Sequence, residues 1–246
     1  MGLLGAIQFL TRIPVTTVTA PSMPQAVPWF PVVGAMIGVV VGAVAAALVQ
    51  VTTPGVAAAV ALVVGMLVTG AFHEDGLADL ADAVSGGTTR ERRLEILRDP
   101  LHGTYGVAAL AGSMLVRWSA LAALAASGPR AVLLGAIAAH ALARGIAVAV
   151  MAFGPPAGAT GLGADWMTDV GPIAGLVGLM LGVGATVPAA RGWTPAAAVV
   201  AVGALGALVV VGVARRALGG VSGDVLGAVE QVVEAAALVM LSVLAE

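Results

Sequence analysis

The sequence predicts an all-α, polytopic integral membrane bundle of about seven transmembrane helices. Three observations carry this. The mean hydropathy of the 246 residues is +1.06, with 60% hydrophobic and only 10% charged, a balance outside the range of soluble domains. The apolar residues fall in long Ala, Val, Leu and Gly runs, most of them near the roughly 20 residues that a helix needs to cross the hydrocarbon. These runs lack the period-two alternation of a membrane β-barrel, so their backbone polar groups must be satisfied within helices.

The elements follow in order. MGLLGAIQFLTRIPV, the first fifteen residues, has neither the charged n-region nor the cleavage site of a signal peptide and reads as a short apolar or interfacial segment. Spans are expected over about 30–50, 55–72, 105–127, 131–151, 171–190, 195–213 and 224–245. Pro and Gly mark the junctions: Pro28 and Pro31, Pro54-Gly55, Gly128-Pro129, Gly154-Pro155-Pro156, Gly171-Pro172, Thr194-Pro195 and Gly219-Gly220. Gly34, Gly38 and Gly42 repeat at four-residue spacing, which suits close helix packing in lipid; the alternative is that glycine is merely tolerated there. The last span carries Asp224, Glu230 and Glu234 and is expected to be partly interfacial or to line a polar cavity. The whole chain, 1–246, reads as one membrane-embedded catalytic domain with motif loops at about 73–104, 152–170 and 214–224.

Charge sets the expected orientation. With seven spans, Arg12, Arg90, Arg92, Arg93, Arg98, Arg215 and Arg216 fall on one side, and Arg130 and Arg191 on the other. Arg117 and Arg144 fall inside spans. The positive-inside rule then puts the N-terminus and the three motif loops in the cytoplasm, and the expected location is a bacterial plasma membrane.

Composition also excludes chemistries. The absence of Cys removes disulfides, thiolate catalysis and iron–sulfur clusters. All eleven cations are Arg, so a Walker-type phosphate loop and a Schiff base are out. No basic tract points to nucleic acid.

HEDGLADLADA, His73 to Ala83, concentrates four acids in this poorly charged chain. If 73–84 is helical, Asp75, Asp79 and Asp82 fall within roughly 60° of one another, with Leu77, Leu80 and Val84 opposite. Like charges at that spacing repel. A hard divalent cation reverses the sign, and Mg²⁺ takes carboxylates together with substrate phosphates. Gly76 is expected to leave room beside Asp75 for a phosphate. The alternative is a solvated acidic turn paired with nearby Arg residues. His73 reads as a helix-end or supporting residue.

TTRERRLEILRDP opens with a capping-box pattern, Thr88 to Glu91, and continues as an amphipathic helix with Leu94, Ile96, Leu97 and Leu101 available for packing. Arg93 and Arg98 are candidates for binding phosphate oxygens bidentately; Arg90, Arg92 and Arg93 would alternatively rest on anionic headgroups. HGTYG, His102 to Gly106, opens the next span. Gly103, Thr104, Tyr105 and Gly106 are candidate substrate-binding residues, because a helix start offers free N–H donors to an anion. GLGAD, Gly161 to Asp165, and GGVSGD, Gly219 to Asp224, project from the same face, and Ser222 and Asp224 join the candidates.

These stretches resemble the adenosylcobinamide-GDP ribazoletransferase (cobalamin synthase) family. The resemblance rests on FLTRIPV (Phe9 to Val15), HEDGLADLADA, RDPLHGTYGV (Arg98 to Val107), GLG (Gly161 to Gly163) and GGVSGDVLGAVEQVVE (Gly219 to Glu234), in family order over nearly the whole chain. Ala83 stands where the family often has Gly, so the turn there is expected to be more helical. The resemblance implies a Mg²⁺-dependent membrane enzyme that joins α-ribazole, or its 5′-phosphate, to adenosylcobinamide-GDP and releases GMP. The expected roles are Asp75, Asp79 and Asp82 holding Mg²⁺ on the diphosphate, Arg98 and Arg93 stabilising the leaving GMP, and a ridge Asp or His73 as base. The expected partners are the two substrates and the bilayer; a homo-oligomer is left open.

Three other readings compete. A CDP-alcohol phosphotransferase also uses an Asp-rich site, but this chain has no Ala-Arg after Gly76. An aspartate-rich prenyltransferase normally presents two such motifs, and the second is thin here. A secondary transporter would carry acids near mid-span, and Glu230 and Glu234 are its support.

Overall fold

The structure, a computed structural model, describes residues 2–15, 22–157 and 170–245. Eleven α-helices form among the described residues, numbered in chain order: α1 Gly2–Leu10, α2 Met23–Ala26, α3 Phe30–Leu48, α4 Pro54–Thr69, α5 Phe72–Gly86, α6 Arg90–Ile96, α7 Thr104–Ala126, α8 Pro129–Phe153, α9 Pro172–Ala190, α10 Trp193–Leu218 and α11 Gly223–Ala245. Six stretches are long and apolar enough to cross a membrane, the first being Met23–Leu48. The pair α4 and α5, bent by 91° at a short break, makes a seventh if the two arms are taken as one span.

That bend is where sequence expectation and structure part. The sequence ends the second span at about 72 and puts the acidic helix in a motif loop beyond it, yet 72–86 follows α4 after a short break as the second arm of one bent helix pair. Gly70 caps α4 at φ 69° and Ala71 follows at φ 57°. Two successive left-handed residues turn the chain and let it re-enter a helix at once. The N-terminal segment seals the bend. Phe9 stacks on Phe30 with ring centroids 5.5 Å apart and meets Phe72 edge-on at 5.4 Å, and the Arg12 N–H donates to the Val68 carbonyl at 2.7 Å. The short apolar N-terminal reading therefore holds as α1, whose Ala6 and Leu10 are buried.

Helix α8 is the axis of the bundle: 72% of its span is buried, against 22% for α7 and 28% for α9 and α10. Helix α3 packs on it through the glycine ridge. A Cβ at Gly38 would lie 2.6 Å from the Ala136 carbonyl, and one at Gly42 2.8 Å from the Leu133 Cα. The ridge is thus a close-packing device, the first of the two readings.

Helix α5 uses the same device against α11. A Cβ at Gly76 would sit 2.8 Å from the Asp224 carbonyl oxygen, and one at Gly227 3.2 Å from the His73 carbonyl. The expected role of Gly76, clearing space for a phosphate, is therefore corrected: its missing side chain admits the α11 backbone. Glycine faces glycine here because two main chains approach closely, which puts Asp224 beside the acidic helix.

Candidate active site

The helix expected over 73–84 forms, and it presents its acids unequally. Asp75 and Asp79, one turn apart, converge on His102, which the sequence reading quoted only as the first residue of HGTYG. The His102 Nε2 lies 3.3 Å from an Asp75 oxygen and its Nδ1 3.2 Å from an Asp79 oxygen. The side-chain exposures are 63% for Asp75, 15% for Asp79 and 32% for His102, so the group opens to solvent on the Asp75 side. The donor atoms of all three lie within 4.8 Å of one another, a spacing that could hold a metal ion. Asp75, Asp224 and Asp82 each stand close enough to act electrostatically on Asp79. Such a concentration of negative charge is repulsive unless a cation joins it.

Asp82 does something else. It is buried, and its two oxygens accept the Gly103 N–H at 2.6 Å and the Gly106 N–H at 2.9 Å. It caps α7 from a neighbouring helix, satisfying backbone donors that the helix start would leave unpaired. The glycines are needed for this approach: a Cβ at Gly103 would lie 2.8 Å from an Asp82 oxygen, and one at Gly106 would collide with the carboxylate. The expectation that these N–H groups await a substrate anion is thereby corrected, since the anion they bind is Asp82. Thr104 and Tyr105 remain exposed beside it, Tyr105 by 55%.

Two of the candidate cations separate just as clearly. Arg98 is exposed, and its guanidinium forms no ion pair or hydrogen bond among the described residues. Arg93 is engaged with backbone, donating from Nε to the Gly87 carbonyl at 2.9 Å and from one terminal nitrogen to Ala217 at 3.4 Å. Arg90 likewise ties α6 to Leu218 and Ala157, each at 2.7 Å. The cap of α6 is Thr89, whose hydroxyl accepts from Arg92 N at 3.2 Å. It is one residue later than expected, because the extended backbone falls at Thr89 (φ −117°, ψ 162°). Leu94 and Leu97 pack as expected, while Leu101 is 78% exposed.

The motif loops do share one end of the bundle. Val221 N donates to Pro155 O at 2.8 Å and Ala157 N to Val221 O at 2.9 Å, so 155–157 and 219–224 zip together. Ser222 accepts from Val225 N at 3.4 Å and lies 3.4 Å from an Asp224 oxygen, a helix-start arrangement. GLGAD lies outside the described residues.

The other acids of the motif face inward. His73 is buried, with Nδ1 3.5 Å from Glu230, on the opposite side of α5 from the Asp75–His102 group, so the structure does not bring this candidate base to the ridge. Glu74 is ion-paired with Arg117 at 3.1 Å, and Arg117 also reaches Glu234 at 3.2 Å. Arg144 pairs with Glu230 and with Glu234, and His140 Nδ1 stands 2.8 Å from Glu234. Gln231 donates to Glu230 at 2.9 Å. This network joins α5, α7, α8 and α11 in the bundle interior. The sequence signal for it was present: two Arg and two Glu inside predicted spans are expensive unless they pair. Glu230 and Glu234, the support for a transporter, are the acids that Arg144 and Arg117 neutralise.

Comparison with known proteins adds to this geometry. The family model described as cobalamin-5-phosphate synthase matches residues 2–242. An adenosylcobinamide-GDP ribazoletransferase of Bradyrhizobium diazoefficiens is 42% identical over 92% of this chain and 87% of its own length. Proteins of the same name from Mesorhizobium japonicum and Chlorobaculum tepidum are 37% and 38% identical, each over 96% of this chain, and over 90% and 92% of their own lengths. No solved structure matches the chain.

Proposed function

This chain belongs to the cobalamin-5-phosphate synthase family, and from that premise we propose that it is an adenosylcobinamide-GDP ribazoletransferase whose site is the Asp75–Asp79–His102 group. The reaction joins α-ribazole, or its 5′-phosphate, to adenosylcobinamide-GDP, giving adenosylcobalamin, or its 5′-phosphate, and GMP. The ribazole 3′-hydroxyl oxygen forms a bond to the phosphorus that carries the cobinamide arm. The bridging P–O bond to GMP breaks, and the hydroxyl proton passes to a ridge carboxylate or to His102.

The donor set fits Mg²⁺. Asp75 and Asp79 supply two carboxylates, the usual protein contribution to a magnesium site that otherwise takes water and substrate phosphates. His102 is the softer donor and serves equally to orient both carboxylates through its two ring nitrogens. When bound, the ion would neutralise diphosphate charge. The protein's own residues do the rest. Asp82 fixes the start of α7 against α5, so that His102, four residues before Gly106, faces the two acids. Arg98, unpaired on the rim, is available for the phosphate of the departing GMP. The network behind α5 holds the ridge in place, which matters because catalysis of this kind is mostly positioning and electrostatics. The Arg distribution supports a plasma-membrane enzyme with this site facing the cytoplasm.

The observation that carries the proposal is the convergence of Asp75 and Asp79 on His102 at the end of the bundle where the motif loops meet. The test is direct. The purified protein in nanodiscs receives adenosylcobinamide-GDP and α-ribazole with and without Mg²⁺, and mass spectrometry follows cobalamin and GMP. Mg²⁺-dependent appearance of both is expected; a folded protein that yields neither would exclude the reaction.

A further inference from the structure

At the end of the bundle opposite the aspartate ridge, the α7–α8 turn, the α9–α10 turn and the last turns of α11 enclose a cavity of about 420 Å³. That is within the range of small-molecule sites, roughly 300–1,000 Å³. Pro129, Leu134 and Pro188 give it apolar surface over the buried Leu124 and Leu241, and Arg130 and Arg191 line it with charge. Both arginines are exposed, and neither side chain forms an ion pair or hydrogen bond among the described residues. No acidic side chain lines the cavity among the described residues. Two unpaired guanidinium groups on a cavity whose lining is part polar and part apolar are complementary to a ligand with an anionic head and a hydrocarbon body.

Depth narrows the choice. Trp193, two residues beyond Arg191, is 71% exposed at the start of α10. An exposed indole at the end of a membrane helix sits at the level of the lipid headgroups. Arg191 therefore stands where phosphodiesters lie, and Leu134, more than one turn into α8, lies deeper. A soluble anion would use the arginines and leave the apolar walls idle.

We propose that this cavity binds one anionic phospholipid, its phosphodiester between Arg130 and Arg191 and the first methylenes of its chains against Pro129, Leu134 and Pro188. The site is separate from the catalytic end and does not depend on the reaction assigned there.

The experiment titrates the full chain, delipidated in detergent, with phosphatidylglycerol or phosphatidylcholine, and counts bound lipid by native mass spectrometry. Wild type is expected to retain one phosphatidylglycerol per chain in preference to phosphatidylcholine. With about 1 kcal/mol for each basic residue at an anionic lipid surface, Arg130→Gln/Arg191→Gln is expected to weaken phosphatidylglycerol about thirtyfold, and each single variant about fivefold. Phosphatidylcholine binding should not change. Both side chains are exposed, so the lipid-free thermal midpoint should stay that of wild type, and the single variants serve if the double variant does not fold. Equal binding of the two lipids to wild type, or undiminished phosphatidylglycerol binding in the variants, would overturn the proposal. So would inorganic phosphate displacing phosphatidylglycerol at millimolar concentration, which would mean that the arginines hold a phosphate alone.

Discussion

Arg117 holds Glu74 with both terminal guanidinium nitrogens at 3.1 Å, one residue before Asp75. The outward-facing acids of α5 are thus anchored from behind by an inward-facing one. Arg117 also reaches Glu234 on α11 at 3.2 Å, so one cation fixes two helices relative to α7. Breaking a buried pair from one side strands the other charge, which typically costs about 3–5 kcal/mol. Arg117→Met is expected to lose that much stability on unfolding in mixed micelles, and transfer activity with it. Arg117→Lys, which keeps the charge but not the fork, should recover part of both. Full stability in Arg117→Met would mean that the network contributes nothing net.

The two kinds of aspartate on α5 should separate by experiment. Asp75 and Asp79 repel each other and nearby Asp224, so Asp79→Asn should leave the thermal midpoint unchanged or raise it, while lowering transfer by about 10³-fold or more. Mg²⁺ should raise the midpoint of wild type but not of Asp75→Asn/Asp79→Asn. Asp82→Ala should instead cost about 1–3 kcal/mol by orphaning the Gly103 and Gly106 N–H groups. Thermal melts with and without Mg²⁺, read beside turnover, distinguish these patterns. A destabilised Asp79→Asn with a stable Asp82→Ala would reverse the assignment.

Arg93, on α6, and Arg98, five residues later and just beyond its end, differ in what they touch. Arg98→Ala, removing an unpaired exposed cation, should raise the KM for the nucleotide-activated substrate about tenfold without changing stability. Arg93→Ala should loosen α6 by about 1–2 kcal/mol through lost bonds to the Gly87 and Ala217 carbonyls. Steady-state kinetics alongside unfolding curves check both, and an unchanged KM in Arg98→Ala would remove it from the phosphate site.

Gly76→Val tests the contact that sets Asp224 beside the ridge. The added side chain meets α11 backbone, which cannot rotate away as a flexible side chain would. A loss of about 1–3 kcal/mol is expected, with Gly227→Ala, whose Cβ would have 3.2 Å, the milder change. If Gly76→Val is as stable as wild type, the helices are not in contact there.

The sequence alone determined the class of this protein, the helix over the acidic motif and the common end of the motif loops, and it put the count of spans at about seven, where the structure has six or, with the bent pair, seven. Hydropathy, length and Pro/Gly punctuation are local quantities, and a bilayer turns them directly into helices because backbone polar groups have no other partner there. The family resemblance was equally legible in HEDGLADLADA and RDPLHGTYGV. Only the tertiary structure decided what each residue in those stretches does. A helical wheel puts Asp75, Asp79 and Asp82 on one face, but it cannot say that α7 begins opposite Asp82 and takes that carboxylate as its cap. It cannot say that His102 closes on the other two, that His73 and Glu74 turn inward to Glu230 and Arg117, or that Gly76 is spent on the α11 backbone. Periodicity fixes the direction in which a side chain leaves its own helix. Its chemistry is fixed by the partner across the gap, and that partner lies 21, 43 and 157 residues away in the chain for Asp82, Glu74 and His73.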